Sequence, residues 1–235
     1  SLLLEGLVDP TELSLEKAQA ILNHLNAEKI TVPDLKGSFD IVGTGGDGLN
    51  TYNISTGTAI LLARMGVQIV KHGNRAVSSQ CGSADVIEAL NLPLAKTPSE
   101  VIGGVKSCNF AFCYAPAFHP VLAVLKPYRE ALGIKTIYNI LGPLLNPAEV
   151  ECRMIGVSSD EDLKLMLDIS KALSFKKILL YRGALGMDEI NTLGEARCVE
   201  VRNGVVFREY TLNPFHHGFE QGKLEDLQGG DAQHN

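Results

Sequence analysis

Apolar and polar positions along this chain switch repeatedly between two periods. Leu15, Ala18, Leu22 and Leu25 recur at helical spacing behind Ser14, a residue suited to cap a helix, so residues 1–27 are expected to be helical. Pro33 and Gly37 interrupt that pattern and mark a linker. The short apolar run Phe39 to Val42 reads as a buried strand. A helix over 56–65 follows, with Ile60, Leu61 and Met65 on one face, Ser55 or Thr56 available as a cap and Gly66 as its stop. The pattern then predicts a strand over 67–70, a polar loop over 71–82, a helix from Ser83 and another near Pro98. A strand over 109–114, a helix over 117–132 and an extended stretch over 135–138 come next. A strand over 151–157, an amphipathic helix over 160–173 and a strand over 177–181 complete the alternation. Two last strands, 196–201 and 205–210, flank Asn203-Gly204, a strong hairpin signal.

Such alternation predicts the α/β class, with a mostly parallel sheet and helices on both faces. Composition narrows the function more than the fold. The chain has 235 residues, of which 45% are hydrophobic and 20% charged, an ordinary globular balance. A net charge of -6 argues against a nucleic-acid surface, which would carry a basic stripe. Cys81, Cys108, Cys113, Cys152 and Cys198 form no C-x-x-C pair and read as thiols in a reducing compartment, not as disulfides or a zinc site. No segment is long and apolar enough to span a bilayer, and no signal peptide is recognisable at the N-terminus. A cytoplasmic location is expected.

The chemistry concentrates where apolar runs end. Directly after Val42 come Gly43, Gly45, Gly46 and Gly48, then the hydroxyls leading into a helix. A strand, a glycine loop and a helix N-terminus bind phosphate, because bare backbone N–H groups and the helix dipole face the anion. Gly43, Gly45 and Gly48 satisfy G-x-G-x-x-G, but the next strand ends in Lys71 and His72 and not in the acid a dinucleotide ribose requires. The loop has no lysine for a Walker A motif, and Asp47 would repel a bare pyrophosphate unless a metal stood between them. Lys71 through Arg75, with Ser78 and Ser79, place two cations and two hydroxyls at the C-terminal end of the next strand, which suits a phosphorylated substrate. His72 reads more simply as a hydrogen-bonded loop histidine, and His119 as a structural one. Asp188-Glu189 follow another strand end and can each give a carboxylate to hydrated Mg²⁺, with Ser55 adding a hydroxyl. The plain alternative is a solvated acidic pair. Arg129 can fork onto a carboxylate, or pair with Glu130 at the surface.

G-T-G-G-D-G at 43–48, N-I-S-T at 53–56, K-H-G-N-R-A-V-S-S at 71–79 and G-S-A-D at 82–85 occur in one order. H-P at 119–120, N-I-L-G-P-L-L-N-P-A at 139–148 and L-E-D-L-Q-G-G-D-A at 224–232 continue it. From about Phe39 onward the chain resembles the anthranilate phosphoribosyltransferases. The resemblance implies transfer of the phosphoribosyl group of phosphoribosyl pyrophosphate to anthranilate in tryptophan biosynthesis, with Mg²⁺ as cofactor and a homodimer as the assembly. It implies a phosphoribosyltransferase/nucleoside phosphorylase-like fold: an α/β domain over 38–235, a small helical domain represented by 1–37, and part of 83–132 toward the hinge or helical side. Phosphoribosyl pyrophosphate would meet Gly43, Gly46, Asp47, Thr51, Asn53, Ile54, Ser55, Thr56 and Ser83, and Lys71, His72, Gly73, Asn74, Arg75, Ala76, Val77, Ser78 and Ser79. Gly43, Asn74 and Arg129 would meet anthranilate, and Ser55, Asp188 and Glu189 would bind the metal. No residue is required as general acid or base, because the lone pair of an aromatic amine is free at neutral pH. The rival readings are a pyrimidine nucleoside phosphorylase-like enzyme and a non-catalytic nucleic-acid-binding relative.

Overall fold

The computed structural model describes residues 2–76, 80–173 and 175–235, without the side chain of Glu130. The helices are α1 (Leu2–Glu5), α2 (Leu15–Glu28), α3 (Ile54–Arg64), α4 (Ser83–Ala89), α5 (Pro98–Cys108), α6 (Ala115–Phe118), α7 (Pro120–Leu132), α8 (Ile137–Leu141) and α9 (Asp160–Leu173). The strands are β1 (Phe39–Gly43), β2 (Ile69–Gly73), β3 (Leu94–Ala95), β4 (Phe110–Tyr114), β5 (Cys152–Gly156), β6 (Lys177–Arg182), β7 (Ala196–Arg202) and β8 (Val205–Leu212). They join in one sheet of order β3-β4-β2-β1-β5-β6-β7-β8. The first six run parallel, and the hairpin β7–β8 is antiparallel. From β1 the chain builds β2, β3 and β4 on one side, then crosses to β5 on the other. Such a reversal opens a crevice at the carboxyl ends of the strands, where open α/β sheets hold ligands.

Alternation sorts the strand side chains onto two faces. Val70, Ala111, Cys113, Ile155, Ile178 and Leu180 are buried on one face, under α5, α9, α8 and α2. Ile41, Ile69 and Phe112 are buried on the other, under α3 and α4. The buried face of α2 (Ala18, Ile21, Leu22, Leu25) shares one cluster with α8 and α9.

Most expected elements form, and the differences have local causes. Residues 1–27 are not one helix: Asp9 caps a short 3-10 turn at Pro10–Glu12 before Ser14 starts α2. The expected extended stretch over 135–138 instead enters α8, because Asn139 folds back to accept from the N–H of Thr136 at 3.0 Å. The strand placed at 67–70 runs to Gly73, so Lys71 and His72 belong to the sheet and not to a loop.

Candidate functional site

At the carboxyl edge, β1, β5 and β6 each end on or beside a glycine, and one segment crosses all three. A Cβ on Gly43 would lie 2.1 Å from Asp188 Oδ2, one on Gly156 would lie 1.7 Å from the Asp188 carbonyl oxygen, and one on Gly183 would lie 1.9 Å from that of Glu189. The bare backbone at these positions lets residues 187–189 lie on the strand ends. The segment is anchored by Met187, fully buried, and by Asn191, whose amide donates to the Glu189 carbonyl at 3.1 Å. Gly156 and Gly183 escaped the sequence reading; the signal was there, since each closes an apolar strand.

Asp188 and Glu189 are therefore not solvated charges. Each is 9% exposed. Asp188 Oδ2 accepts the N–H of Gly45 at 2.7 Å, and Glu189 Oε1 accepts that of Ser55 at 3.0 Å, in the first turn of α3. Burial, and then the charge of Asp47, pushes the Asp188 carboxyl up. Burial and the Asp188 charge do the same to Glu189, against the pull of Lys71. Lys71, 1% exposed, donates to the Ile41 carbonyl and to Ser55 Oγ at 3.2 Å. Its burial depresses the ammonium pKa, opposed by Asp40, Glu189 and Asp188. Gly43, Asp47, Ser55, Lys71, Asp188 and Glu189 thus meet in one buried crevice.

Gly45, Gly46 and Gly48 all take positive φ. Asn53, not Ser55 or Thr56, occupies the cap position of α3, yet its side chain makes no cap hydrogen bond. Thr56 Oγ1 and Asp47 Oδ2 are buried without a hydrogen-bond partner among the described residues. Unpartnered buried oxygens are costly. Here they accompany crowded carboxylates, and hard oxygen donors of this kind fit Mg²⁺. No group of three or more His, Cys, Asp or Glu among the described residues forms a ready-made cage.

His72 sits elsewhere. Its side chain points to the opposite sheet face, with Nδ1 2.5 Å from Asp40 Oδ2 and Nε2 2.8 Å from the Gly142 carbonyl oxygen. Asn146 completes that network, donating to Asp40 Oδ2 at 2.8 Å and to the Val70 carbonyl at 2.7 Å. The expectation of a hydrogen-bonded histidine holds, but in a strand and not in a loop. Burial alone would raise the Asp40 pKa; the charges of His72 and Lys71 and the hydrogen bonds hold it down instead. His119 is likewise buried, with Nε2 2.7 Å from the Leu145 carbonyl oxygen.

After β2, Asn74 is exposed and Ser83 Oγ donates to its carbonyl at 3.4 Å. Arg75 is committed to α4: it donates to Glu88 Oε1 at 2.6 Å and to Asp85 Oδ1 at 3.3 Å. Asp85 in turn accepts the N–H groups of Ala76 and Gly82. Val77, Ser78 and Ser79 lie outside the described residues. Arg129, in the last turn of α7, is half-buried, lies over the Tyr138 ring and donates to Asn139 Oδ1 at 3.3 Å. The side chain of its alternative partner, Glu130, lies outside the description.

A glycine loop, a helix start, a buried lysine and paired carboxylates meet at the switch point of the parallel sheet of an α/β fold. The chain belongs to the glycosyl transferase family, a/b domain, whose model matches residues 35–235. The anthranilate phosphoribosyltransferase of Chlamydia caviae is 45% identical over 199 residues, covering 84% of this chain and 57% of that protein. The crystal structure of anthranilate phosphoribosyltransferase from Thermus thermophilus matches with TM-score 0.82 and 37% identity, over 94% of this chain and 65% of that one. The Saccharomyces cerevisiae enzyme in complex with PRPP and Mg matches with TM-score 0.85 and 30% identity, over 94% of this chain and 61% of that one. The chain therefore spans a little over half the length of the curated relative, at 57%.

Proposed function

We propose that this chain forms the α/β part of an anthranilate phosphoribosyltransferase. The observation that carries the reading is the start of α3, whose Ser55 N–H meets the Glu189 carboxylate while the Thr56 hydroxyl beside it is buried without a hydrogen-bond partner among the described residues. The dipole of a helix start attracts phosphate, and carboxylates beside it make electrostatic sense once a divalent cation joins them. The names of the relatives agree, and one was crystallised with PRPP and Mg.

In this reading the 43–56 loop and Lys71 hold the phosphoribosyl pyrophosphate, with Gly73, Asn74 and Ser83 beside them, while His72 braces β2 from the other face of the sheet. Gly43, Asn74 and Arg129 receive anthranilate, Arg129 taking its carboxylate. The amine lone pair forms a bond to the anomeric carbon of ribose as the bond to pyrophosphate breaks, and the nitrogen then releases a proton to water. Lys71 stabilises the charge growing on pyrophosphate. Ser55, Asp188 and Glu189 would hold Mg²⁺, which supplies Lewis-acid neutralisation of the same group when bound. Positioning suffices without a general base. The five free thiols suit the cytoplasm, and a homodimer is the assembly the reading carries with it. Among the described residues no helix is long and apolar enough to cross a membrane.

Titration calorimetry with phosphoribosyl pyrophosphate tests the reading directly. Binding should require Mg²⁺, and pyrophosphate release should then require anthranilate. Equal affinity with and without the cation would overturn it.

A further inference from the structure

Arg129 stands on a helix poorly suited to hold a side chain still. α7 carries Pro127 in its interior, two residues before Arg129, and a proline there removes a backbone hydrogen bond. Val124, Tyr128 and Leu132 of the same helix are exposed, so packing grips α7 from one side. The next element is the opposite. Ile137, Tyr138, Ile140 and Leu141 of α8 are buried, as is Thr136 before it. The Gly142 carbonyl oxygen that follows lies 2.8 Å from His72 Nε2 on β2, the strand that also carries Lys71. α8 is thus held in register with the phosphate site.

Asn139 joins the two. Its Oδ1 accepts the Thr136 N–H at 3.0 Å, the Thr136 hydroxyl at 3.3 Å and Arg129 Nη2 at 3.3 Å. A backbone N–H can only donate, so the amide must turn its oxygen, and not its nitrogen, to all three. The Tyr138 ring supports the guanidinium from below, 5.7 Å from ring centroid to Cζ. The bonds to Thr136 already cap α8, and the third bond adds nothing to that cap. An aspartate in this place would suit the first turn of a helix better and would pair with Arg129. An amide holds the guanidinium and leaves its charge for a carboxylate to fork onto.

We infer that Asn139 is a positioning residue for the carboxylate of the acceptor substrate: its amide oxygen fixes Arg129 relative to β2 without neutralising it. The inference rests on the anthranilate reading of Arg129 and names a residue that reading does not contain.

The test is steady-state kinetics, with each substrate varied in turn, and a melting curve for every protein. The set is the wild-type chain, Asn139→Asp, Asn139→Ala, Arg129→Ala and the two double variants. Asn139→Asp keeps the cap and should melt no lower than wild type. Its carboxylate occupies Arg129, however, and should raise the KM for anthranilate about ten-fold. Asn139→Ala should melt lower and raise the same KM about three-fold, the cost of ordering one long side chain that keeps its charge. The KM for phosphoribosyl pyrophosphate should not move in either. In the Arg129→Ala background neither change should raise the anthranilate KM further. Additive effects there, or equal rises in both KM values, would make Asn139 a structural brace and overturn the inference. So would an unchanged anthranilate KM in Asn139→Asp. A wild-type chain without turnover, or Arg129→Ala with the wild-type anthranilate KM, would instead overturn the reading on which it stands.

Discussion

Asp188 concentrates the conflict between stability and function in one carboxyl. It is buried beside Asp47, and both effects oppose its ionisation. A protein selected only for stability would not keep two carboxylates so placed, and a neutral amide could accept the Gly45 N–H equally well. Asp188→Asn should therefore stabilise the fold at pH 7 by roughly 1–3 kcal/mol, read from chemical unfolding, while removing the Mg²⁺ dependence of phosphoribosyl pyrophosphate binding. A clear loss of stability would make Asp188 a structural residue. At this scale the sequence was informative about residue type. Asp188, Glu189, Asp47 and Ser55 were recognisable because carboxylates and hydroxyls at strand ends have few structural uses. Their burial was not recognisable, because it comes from Gly43, Gly156 and Gly183, separated from one another by up to 140 positions. The role of His72 was half visible: the hydrogen-bonded side chain was expected, but its face of the sheet depends on where β2 ends.

Elements hold the site through close approach of backbones. The carbonyl of Asp188 lies where a Cβ of residue 156 would project, and Tyr181 Cε2 lies 2.8 Å from the same point. Gly156→Ala must therefore push the 187–189 segment off the sheet, costing about 1–3 kcal/mol as overpacking does. Gly103, in α5, has open space around it, and Gly103→Ala should raise stability by about 0.5–1 kcal/mol through helix propensity alone. Urea unfolding of the two variants separates close approach from glycine content; equal effects would remove the packing argument. Periodicity located α9 because it buries one regular face, Pro98 marked the start of α5, and β4 showed as a continuous apolar run buried on both faces. Periodicity failed at α8, where five residues are too few to show a period and the Thr136–Asn139 capping pair was the better signal. The stretch 224–232 carried part of the resemblance, but its path had no periodic signal, since its pairing to 50–52 joins residues far apart in sequence.

Taken whole, the molecule holds one further buried base away from the phosphate loop. Burial, with the charges of His72 and Lys29, lowers the His119 pKa from 6.5 to about 4, against the pull of the Leu145 carbonyl. The fold thus keeps the neutral ring. Its contribution is complete above pH 6.5 and is lost as the pH falls toward 4, because the unfolded chain takes up the proton first. By pH 5 the loss should reach about 2 kcal/mol. Asp188 and Glu189, with raised pKa values, act in the opposite sense, so the measurement is a difference. Between pH 7 and pH 5, wild type should lose about 2 kcal/mol more than His119→Gln, in which an amide can still donate to Leu145. Parallel pH profiles would refute the assignment.

The reversal of direction at β7 has a practical consequence. All parallel strands deliver their carboxyl ends to the phosphate loop, whereas β7 runs away from it. Lys177, where β6 begins, pairs with Arg202, and the Asn203 N–H donates to the Phe175 carbonyl at 2.9 Å. The Asn203-Gly204 turn, with both residues at positive φ, therefore marks the pole opposite the chemistry. It is a natural handle: a fluorophore, a surface tether or an inserted peptide attached there would report on the molecule, or immobilise it, while leaving the mouth of the crevice clear.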